Sequence, residues 1–156
     1  MMQSGSSFAA AAIAENLDVQ SSPLRVRMIA LITGGDSGIG RAVAVLYARE
    51  GADVVIVYLN EHRDAEDTKR AVEAEGRRCI TMAGDVTDLR FCEAAVEETI
   101  RQFGQIDILV NNAAFQEHTD RLEDLSEQHF DRTIRTNLYG YFHMVLHLPS
   151  AHFMFW

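Results

Sequence analysis

The stretch that decides the fold of this chain is Thr33-Gly34-Gly35-Asp36-Ser37-Gly38-Ile39-Gly40. It lies between an apolar run at residues 28–32 and an amphipathic pattern of helical period that begins at Arg41. This order predicts a β-strand, a glycine turn and an α-helix. Glycines lack a Cβ atom, so the backbone can approach a ligand, and the free N–H groups at a helix start attract anions. The stretch therefore predicts an anion site, most plausibly for a pyrophosphate.

The spacing of these glycines leaves an alternative open. The pattern is T-G-x-x-x-G-I-G, whereas the usual dinucleotide fingerprint G-x-G-x-x-G would place its third glycine on Val43. A glycine-rich turn between a strand and a helix is in some proteins only a tight connection that binds nothing. The choice between these two interpretations depends on the rest of the chain.

Composition restricts the class of protein. The chain has 156 residues, 47% of them hydrophobic and 24% charged, which is typical of one globular domain. Its net charge of −9, without a basic cluster, argues against nucleic acids and anionic membranes as partners. No apolar run approaches the length of a membrane span, and no basic residues precede the short apolar run at residues 8–14. The two cysteines, Cys79 and Cys92, are expected to be free core thiols, which fits a cytoplasmic location.

The pattern of strand, turn and helix repeats along the chain. Further strands are predicted at residues 53–58, 77–83 and 106–110, and helices at 41–50, 61–75, 88–103 and 126–145. The first helix is expected to turn an apolar stripe inward, formed by Ala42, Val43, Val45, Leu46 and Ala48. Four alternating pairs predict an α/β fold, a doubly wound, Rossmann-like parallel sheet of strand order 3-2-1-4. Ligands of such sheets bind beyond the carboxyl ends of the strands, where the glycine turn and residues 58–60, 84–86 and 111–114 would meet.

The ends of the chain are predicted to differ from this domain, which covers residues 28–145. Residues 1–27, rich in Ser, Ala and Gln, are expected to form a flexible extension. Residues 146–156 do not continue the pattern, and we expect an apolar tail that arose from a frameshift, an alternative terminus or a truncated gene. A helix break at Pro149 separates the histidines of this region, so no metal site is expected. The sheet would then end at its fourth strand, leaving that strand as an exposed edge and the fourth helix uncovered.

Four motifs in this order resemble those of the classical short-chain dehydrogenase/reductase family. They are T-G-x-x-x-G-I-G at residues 33–40, D-V-T-D at 85–88, N-N-A-A at 111–114 and T-N-L-Y-G at 136–140. The similarity covers residues 28–145. It implies a Rossmann-like fold that binds NAD or NADP, and hydride transfer between that cofactor and a small alcohol or carbonyl substrate.

The same resemblance implies roles for individual residues. Asp85 and Val86 would contact the adenine, Ala113 would lie under the cofactor, and Asn111 would tie neighbouring strands together. Asp85 also suits an Asx turn that merely begins the third helix, and this alternative stays open. Ala114 departs from the family, in which glycine is commonest at this position. The residues implied to surround the pyrophosphate are Gly34, Ser37, Gly38, Ile39 and Gly40.

The choice between NAD and NADP depends on the end of the second strand. Family members that use NAD usually carry a carboxylate there, which binds both ribose hydroxyls. Tyr58 stands at this position, and His62 or Arg63 could supply positive charge to a 2′-phosphate, so the sequence favours NADP. Asp36 and Glu61 lie close in sequence and oppose this preference. Arg63 is equally well explained as a solvated residue at a helix start.

Most of the family's catalytic residues are missing. The resemblance implies a Tyr as general acid/base, a Lys four residues later, a Ser that polarises the carbonyl and an Asn in a proton relay. Only the Asn is present, as Asn137, since no tyrosine here is followed four residues later by lysine. We therefore expect the N-terminal part of an NAD(P)-dependent oxidoreductase, inert as it stands. A non-enzymatic nucleotide-binding module that self-associates or pairs with a complete relative through the fourth helix, and a pseudogene product, stay open as alternatives.

Overall fold

The computed structural model describes residues 27–149, and the predictions for residues 1–26 and 150–156 lie outside this range. The described residues contain one four-stranded parallel sheet of order β3-β2-β1-β4, which confirms the predicted topology. The strands are β1 (Ile29–Thr33), β2 (Asp53–Tyr58), β3 (Cys79–Ala83) and β4 (Ile108–Val110). Strands β3 and β4 each begin two residues later than the sequence predicts. The helices are α1 (Gly38–Arg49), α2 (His62–Ala74), α3 (Leu89–Phe103), α4 (Glu127–Ile134) and α5 (Gly140–Leu146).

Two apolar clusters hold the helices against opposite faces of the sheet. Alternate residues of a strand point to opposite faces, so Ile32 and Ile56 pack with α1 and α2, whereas Leu31 and Val55 pack with α3 and α5. Every residue of β1 and β2 is buried. This explains why these strands read as continuous apolar runs, which is typical of parallel strands covered on both sides.

Helix α1 presents small residues to the sheet. Its buried residues are Gly40, Ala44 and Ala48, which recur every four residues. The predicted stripe is wrong at Leu46, which is 54% exposed, and at Ala42, which is also exposed. The larger side chains of this helix cannot occupy the closely packed face, so they lie at its border or in solvent.

The fourth predicted helix is divided into two. Ser126 begins α4 as expected, because its hydroxyl accepts a hydrogen bond from the His129 N–H at 3.1 Å. A π-helical turn at Arg135–Tyr139 then separates α4 from α5. Such a turn adds a residue to the helical repeat, and it is not visible in the apolar pattern.

A buried carboxylate fastens the amino end of β2. Asp53 is only 1% exposed and forms ion pairs with Arg27 and with Arg77, whose Nη2 lies 2.9 Å from Oδ1. It also accepts a hydrogen bond from the Arg78 N–H at 2.9 Å. These contacts join β2 to the segments that precede β1 and β3.

Replacing this carboxylate should destabilise the fold. We expect Asp53→Ala to lower the free energy of unfolding by about 2–3 kcal/mol, because it leaves the Arg77 guanidinium and a backbone N–H without their acceptor. Urea unfolding would measure the change. The matched control is Asp67→Ala, which removes an exposed ion pair with Arg70 on α2 and should cost less than about 1 kcal/mol. Equal losses in both variants would contradict this account.

Both cysteines are free and buried, as the sequence predicts. Burial raises the pKa of the Cys79 thiol to about 12, and burial together with the carboxylates of Asp88 and Asp85 raises that of Cys92 to about 11. The thiolate is the reactive form, so both groups should be unreactive in the native state. At pH 8 we expect disulfide reagents to label both cysteines at least about 100-fold more slowly than in urea-unfolded chain. Rapid labelling of either thiol in the native chain would contradict this expectation.

Candidate functional site

A cavity of about 540 Å³ opens at the carboxyl ends of the four strands. Its walls come from the glycine turn, the ends of β2 and β3, the segment after β4, and the α4 helix with its π-turn. The predicted site residues among its lining residues are Gly34, Ser37, Asp85, Val86 and Ala113. Topology therefore brings together the segments that the sequence singled out.

The glycine turn leads directly into α1. Gly34 has a φ of +63° and Gly38 a φ of +51°, a region of backbone conformation that favours glycine. Ser37 is the N-cap residue, and its side chain makes no capping hydrogen bond. The N–H groups of the first helical turn have no acceptor within an α-helix. They and the Ser37 hydroxyl are thus available to an anion.

Gly34 and Gly40 allow an unusually close contact between the turn and the helix. A Cβ atom on Gly40 would lie 2.0 Å from the Gly34 carbonyl oxygen, and one on Gly34 would lie 2.9 Å from Cα of Ala113. Gly40 is buried and does not line the cavity, whereas Ile39 is 76% exposed. These two glycines are therefore explained by packing, which positions the turn for a ligand.

Asn112 binds the glycine turn to the end of β4. Its Nδ2 donates to the carbonyl oxygens of Thr33 at 3.1 Å and Gly34 at 2.9 Å. In return, Oγ1 of Thr33 accepts from the N–H groups of Asn112 and Ala113, both at 3.0 Å. The sequence assigned this tie to Asn111, whose Nδ2 instead approaches the Tyr141 carbonyl of α5 at 3.5 Å. Successive side chains of an extended segment point in opposite directions, and the sequence alone did not fix which asparagine faces β1.

The end of β3 realises both interpretations of Asp85. Its Oδ1 accepts from the Thr87 N–H at 2.8 Å, which is the Asx turn, and the residue also lines the cavity. The second carboxylate oxygen can still accept from a ligand. Val86 is buried, and its carbonyl oxygen accepts from Sγ of Cys92 at 3.3 Å. Gly140 approaches so closely that a Cβ there would lie 2.7 Å from the Val86 side chain.

Asn137 lies beside the cavity, with its side chain bound to the backbone of Phe115. Its Oδ1 accepts from the Phe115 N–H at 2.7 Å, and its Nδ2 donates to the Phe115 carbonyl at 3.0 Å. This exchange occurs within the π-turn and joins it to the segment after β4. The side chain thus positions backbone, and Asn137 is not among the residues that line the cavity.

The residues that the sequence missed come mainly from α4. Arg132 and Arg135 line the cavity. The Arg132 guanidinium lies 3.9 Å from the centre of the Phe115 ring, and Arg135 pairs with Asp131 at 2.7 Å. The sequence carried no signal for them, because their position depends on the long-range contact between Phe115 and Asn137.

Other classes of site are absent from the part of the chain that the structure describes. No group of three His, Cys, Asp or Glu side chains is arranged to bind a metal ion within residues 27–149. Over the same residues, none of the helices has the length and apolar character required to cross a bilayer.

Comparison with known proteins identifies the family. The family model for short chain dehydrogenases matches residues 28–152, and this chain belongs to that family. General stress protein 39 of Bacillus subtilis is 53% identical over 116 residues, which are 74% of this chain and 41% of that protein. The chloroplastic NADPH-dependent aldehyde reductase 1 of Arabidopsis thaliana is 39% identical over 125 residues, 76% of this chain and 43% of that protein.

Solved structures agree with this assignment. The NAD⁺-bound xylitol dehydrogenase superposes with a TM-score of 0.74 at 29% identity, over 78% of this chain and 46% of that one. The chain thus spans less than half the length of the relatives that it matches.

The close contact at Gly40 generates a testable difference between two glycines. We expect Gly40→Ala to destabilise the chain by about 3 kcal/mol or more, because the new methyl group would collide with the Gly34 carbonyl and Asn112. Gly38→Ala should cost only about 1–2 kcal/mol, since it meets no atom within 4 Å and adds only backbone strain at positive φ. Urea unfolding of both variants would measure this. A larger loss for Gly38→Ala than for Gly40→Ala would contradict the packing.

Proposed function

We propose that this chain binds the adenosine diphosphate half of NAD or NADP in the cavity at the strand ends. The observation that carries the proposal is the glycine turn, whose first helical N–H groups and Ser37 hydroxyl lack acceptors beside that cavity. No atom lies within 4 Å of the position that a Cβ of Gly38 would take, so the turn leaves room for a pyrophosphate there. Membership of the short-chain dehydrogenase family supports the same assignment.

The remaining walls suit an adenosine. In this proposal the carboxylate of Asp85 accepts from the exocyclic amine of adenine, and Val86 offers it an apolar edge. Ala113 lies beneath the cofactor. Asn112 and Thr33 hold the two walls of the cavity together, while Asn111 and Asn137 fix α5 and the π-turn. Asn137 would then serve a proton relay through its position, since its amide is engaged by Phe115.

The function of the protein as a whole is proposed to be that of an NAD(P)-dependent oxidoreductase. When bound, the nicotinamide ring of the coenzyme supplies the hydride chemistry. The substrate class that the family implies is a small alcohol or carbonyl. The preference for NADP drawn from Tyr58, His62 and Arg63 stays a prediction, as does a cytoplasmic location, which the two free buried thiols support.

Binding without turnover is the expected behaviour of the 156-residue chain. We expect ADP and intact coenzyme to bind with comparable affinity in calorimetric titrations, because the described cavity serves the adenosine half. We also expect no oxidation of NADH or NADPH with simple aldehydes or ketones, because the chain has no Tyr-x-x-x-Lys pair. Steady turnover would falsify the inertness, and absence of ADP binding at millimolar concentration would contradict the binding site.

A second candidate function is that of an interaction module. The exposed residues Leu138, Phe142 and Leu146 recur every four residues along the π-turn and α5, and each is more than half exposed. A helix with such an apolar stripe is commonly covered by a partner. This favours self-association, or pairing with a complete relative, through the fourth predicted helix.

A charge on this stripe should prevent association. We expect light scattering to detect oligomers at high concentration, and Phe142→Glu to weaken association at least about tenfold, because a charged group would replace a buried ring. The control is Leu122→Glu, which changes an 81% exposed leucine in the turn before α4. A monomer at all concentrations would exclude self-association through this face.

A further inference from the structure

The end of β2 carries an uncharged side chain that is already engaged. Tyr58 is only 8% exposed, and its hydroxyl lies 2.8 Å from Nδ1 of His62. The two rings are perpendicular, with centroids 5.5 Å apart. Neither His62 nor Arg63 is among the described residues that line the cavity. The cations on which the sequence-based preference for NADP depended are therefore not part of its wall.

Two carboxylates border this end of the cavity instead. Asp36, in the glycine turn, and Glu61, directly before α2, both line it. The nearby Arg41 is occupied elsewhere, since its guanidinium donates to the Asp36 carbonyl at 2.8 Å and to the Thr68 hydroxyl at 2.7 Å. It also pairs with Asp64 at 3.5 Å. Arg41 thus fastens the turn to α2 and leaves the charge of the wall negative.

The carboxylate of Glu61 is held in place by its neighbour. Oε2 accepts from the backbone N–H of Asn60 at 3.2 Å. With its nitrogen turned toward Glu61, the Asn60 side-chain amide donates to the two carboxylate oxygens at 2.6 and 2.7 Å. A carboxylate with fixed orientation retains lone pairs for further donors, such as ribose hydroxyls.

The other cations of the cavity wall already have partners. They are Arg135, paired with Asp131, and Arg132, stacked on Phe115. A 2′-phosphate carries close to two negative charges and needs a free cation to offset them. Beside Asp36 and Glu61 it would meet repulsion in a partly desolvated cavity, where charges interact more strongly than in water.

We infer that Glu61 selects NAD over NADP in this chain. Its carboxylate accepts hydrogen bonds from the ribose hydroxyls of NAD and, together with Asp36, repels the 2′-phosphate of NADP. Glu61 thereby takes the part of the acid that is missing at Tyr58, three residues earlier. This inference rests on the proposed function, and it reverses the preference for NADP drawn from sequence.

Titration of the 156-residue chain with both coenzymes tests the inference. We expect NAD to bind at least about tenfold more tightly than NADP at low salt, and the ratio to shrink at 0.5 M NaCl as the repulsion is screened. Glu61→Gln should reduce the ratio several-fold, and Glu61→Lys should reverse it. The matched control is Glu66→Gln, which neutralises an exposed carboxylate on α2 that does not line the cavity.

The outcomes separate this inference from the proposed function. Equal or tighter binding of NADP by the unaltered chain would overturn the selection by Glu61 while leaving the binding site intact. An unchanged ratio in Glu61→Gln, with thermal unfolding like that of Glu66→Gln, would overturn it as well. Failure of both coenzymes and of ADP to bind would instead overturn the proposed function, and the inference with it.

Discussion

The contact on which the rest of this structure depends is the meeting of three backbone segments at Gly34, Gly40 and Asn112. The carbonyl oxygen of Gly34 occupies the space where a Cβ of Gly40 would lie, and the same oxygen accepts from Nδ2 of Asn112 at 2.9 Å. The end of β1, the start of α1 and the segment after β4 are thereby joined. Any side chain larger than hydrogen at Gly40 would separate them.

This junction sets the geometry of the cavity. It holds the first turn of α1 beside the carboxyl ends of the strands, where an anion would meet backbone N–H groups rather than side chains. A second junction, between Asn137 and the backbone of Phe115, brings the π-turn and α4 to the other boundary of the cavity. Each junction depends on one asparagine that exchanges hydrogen bonds with backbone distant in sequence. The chemistry of the site therefore depends on amide side chains that do not themselves contact the ligand.

The sequence predicted the elements that follow from local patterns. The apolar runs of β1 and β2, the caps at Ser126 and Asp88, and the strand order all agree with the structure. It failed where the answer depends on which surfaces meet. Leu46 is apolar yet lies in solvent, because only Gly40, Ala44 and Ala48 are small enough for the face of α1 that approaches the sheet.

The candidate site shows the same division. The motifs located the glycine turn and Asp85 without the structure, because each follows directly from a strand end. They did not locate the tie at Asn112, the π-turn or the arginines of α4, since these require knowledge of side-chain direction and of long-range contacts. The charge of the wall near Tyr58 also became clear only when Arg41 was seen to be occupied by Asp36, Asp64 and Thr68.

The most direct test of this account is a crystal structure of the chain with bound ADP or NAD. We predict the diphosphate at the start of α1, with its oxygens within hydrogen-bonding distance of the N–H groups at residues 38–40. The adenine should lie between Asp85, Val86 and Ala113. A diphosphate bound anywhere else, or no ligand density at saturating concentration, would contradict the central claim that the first β–α junction is an anion site.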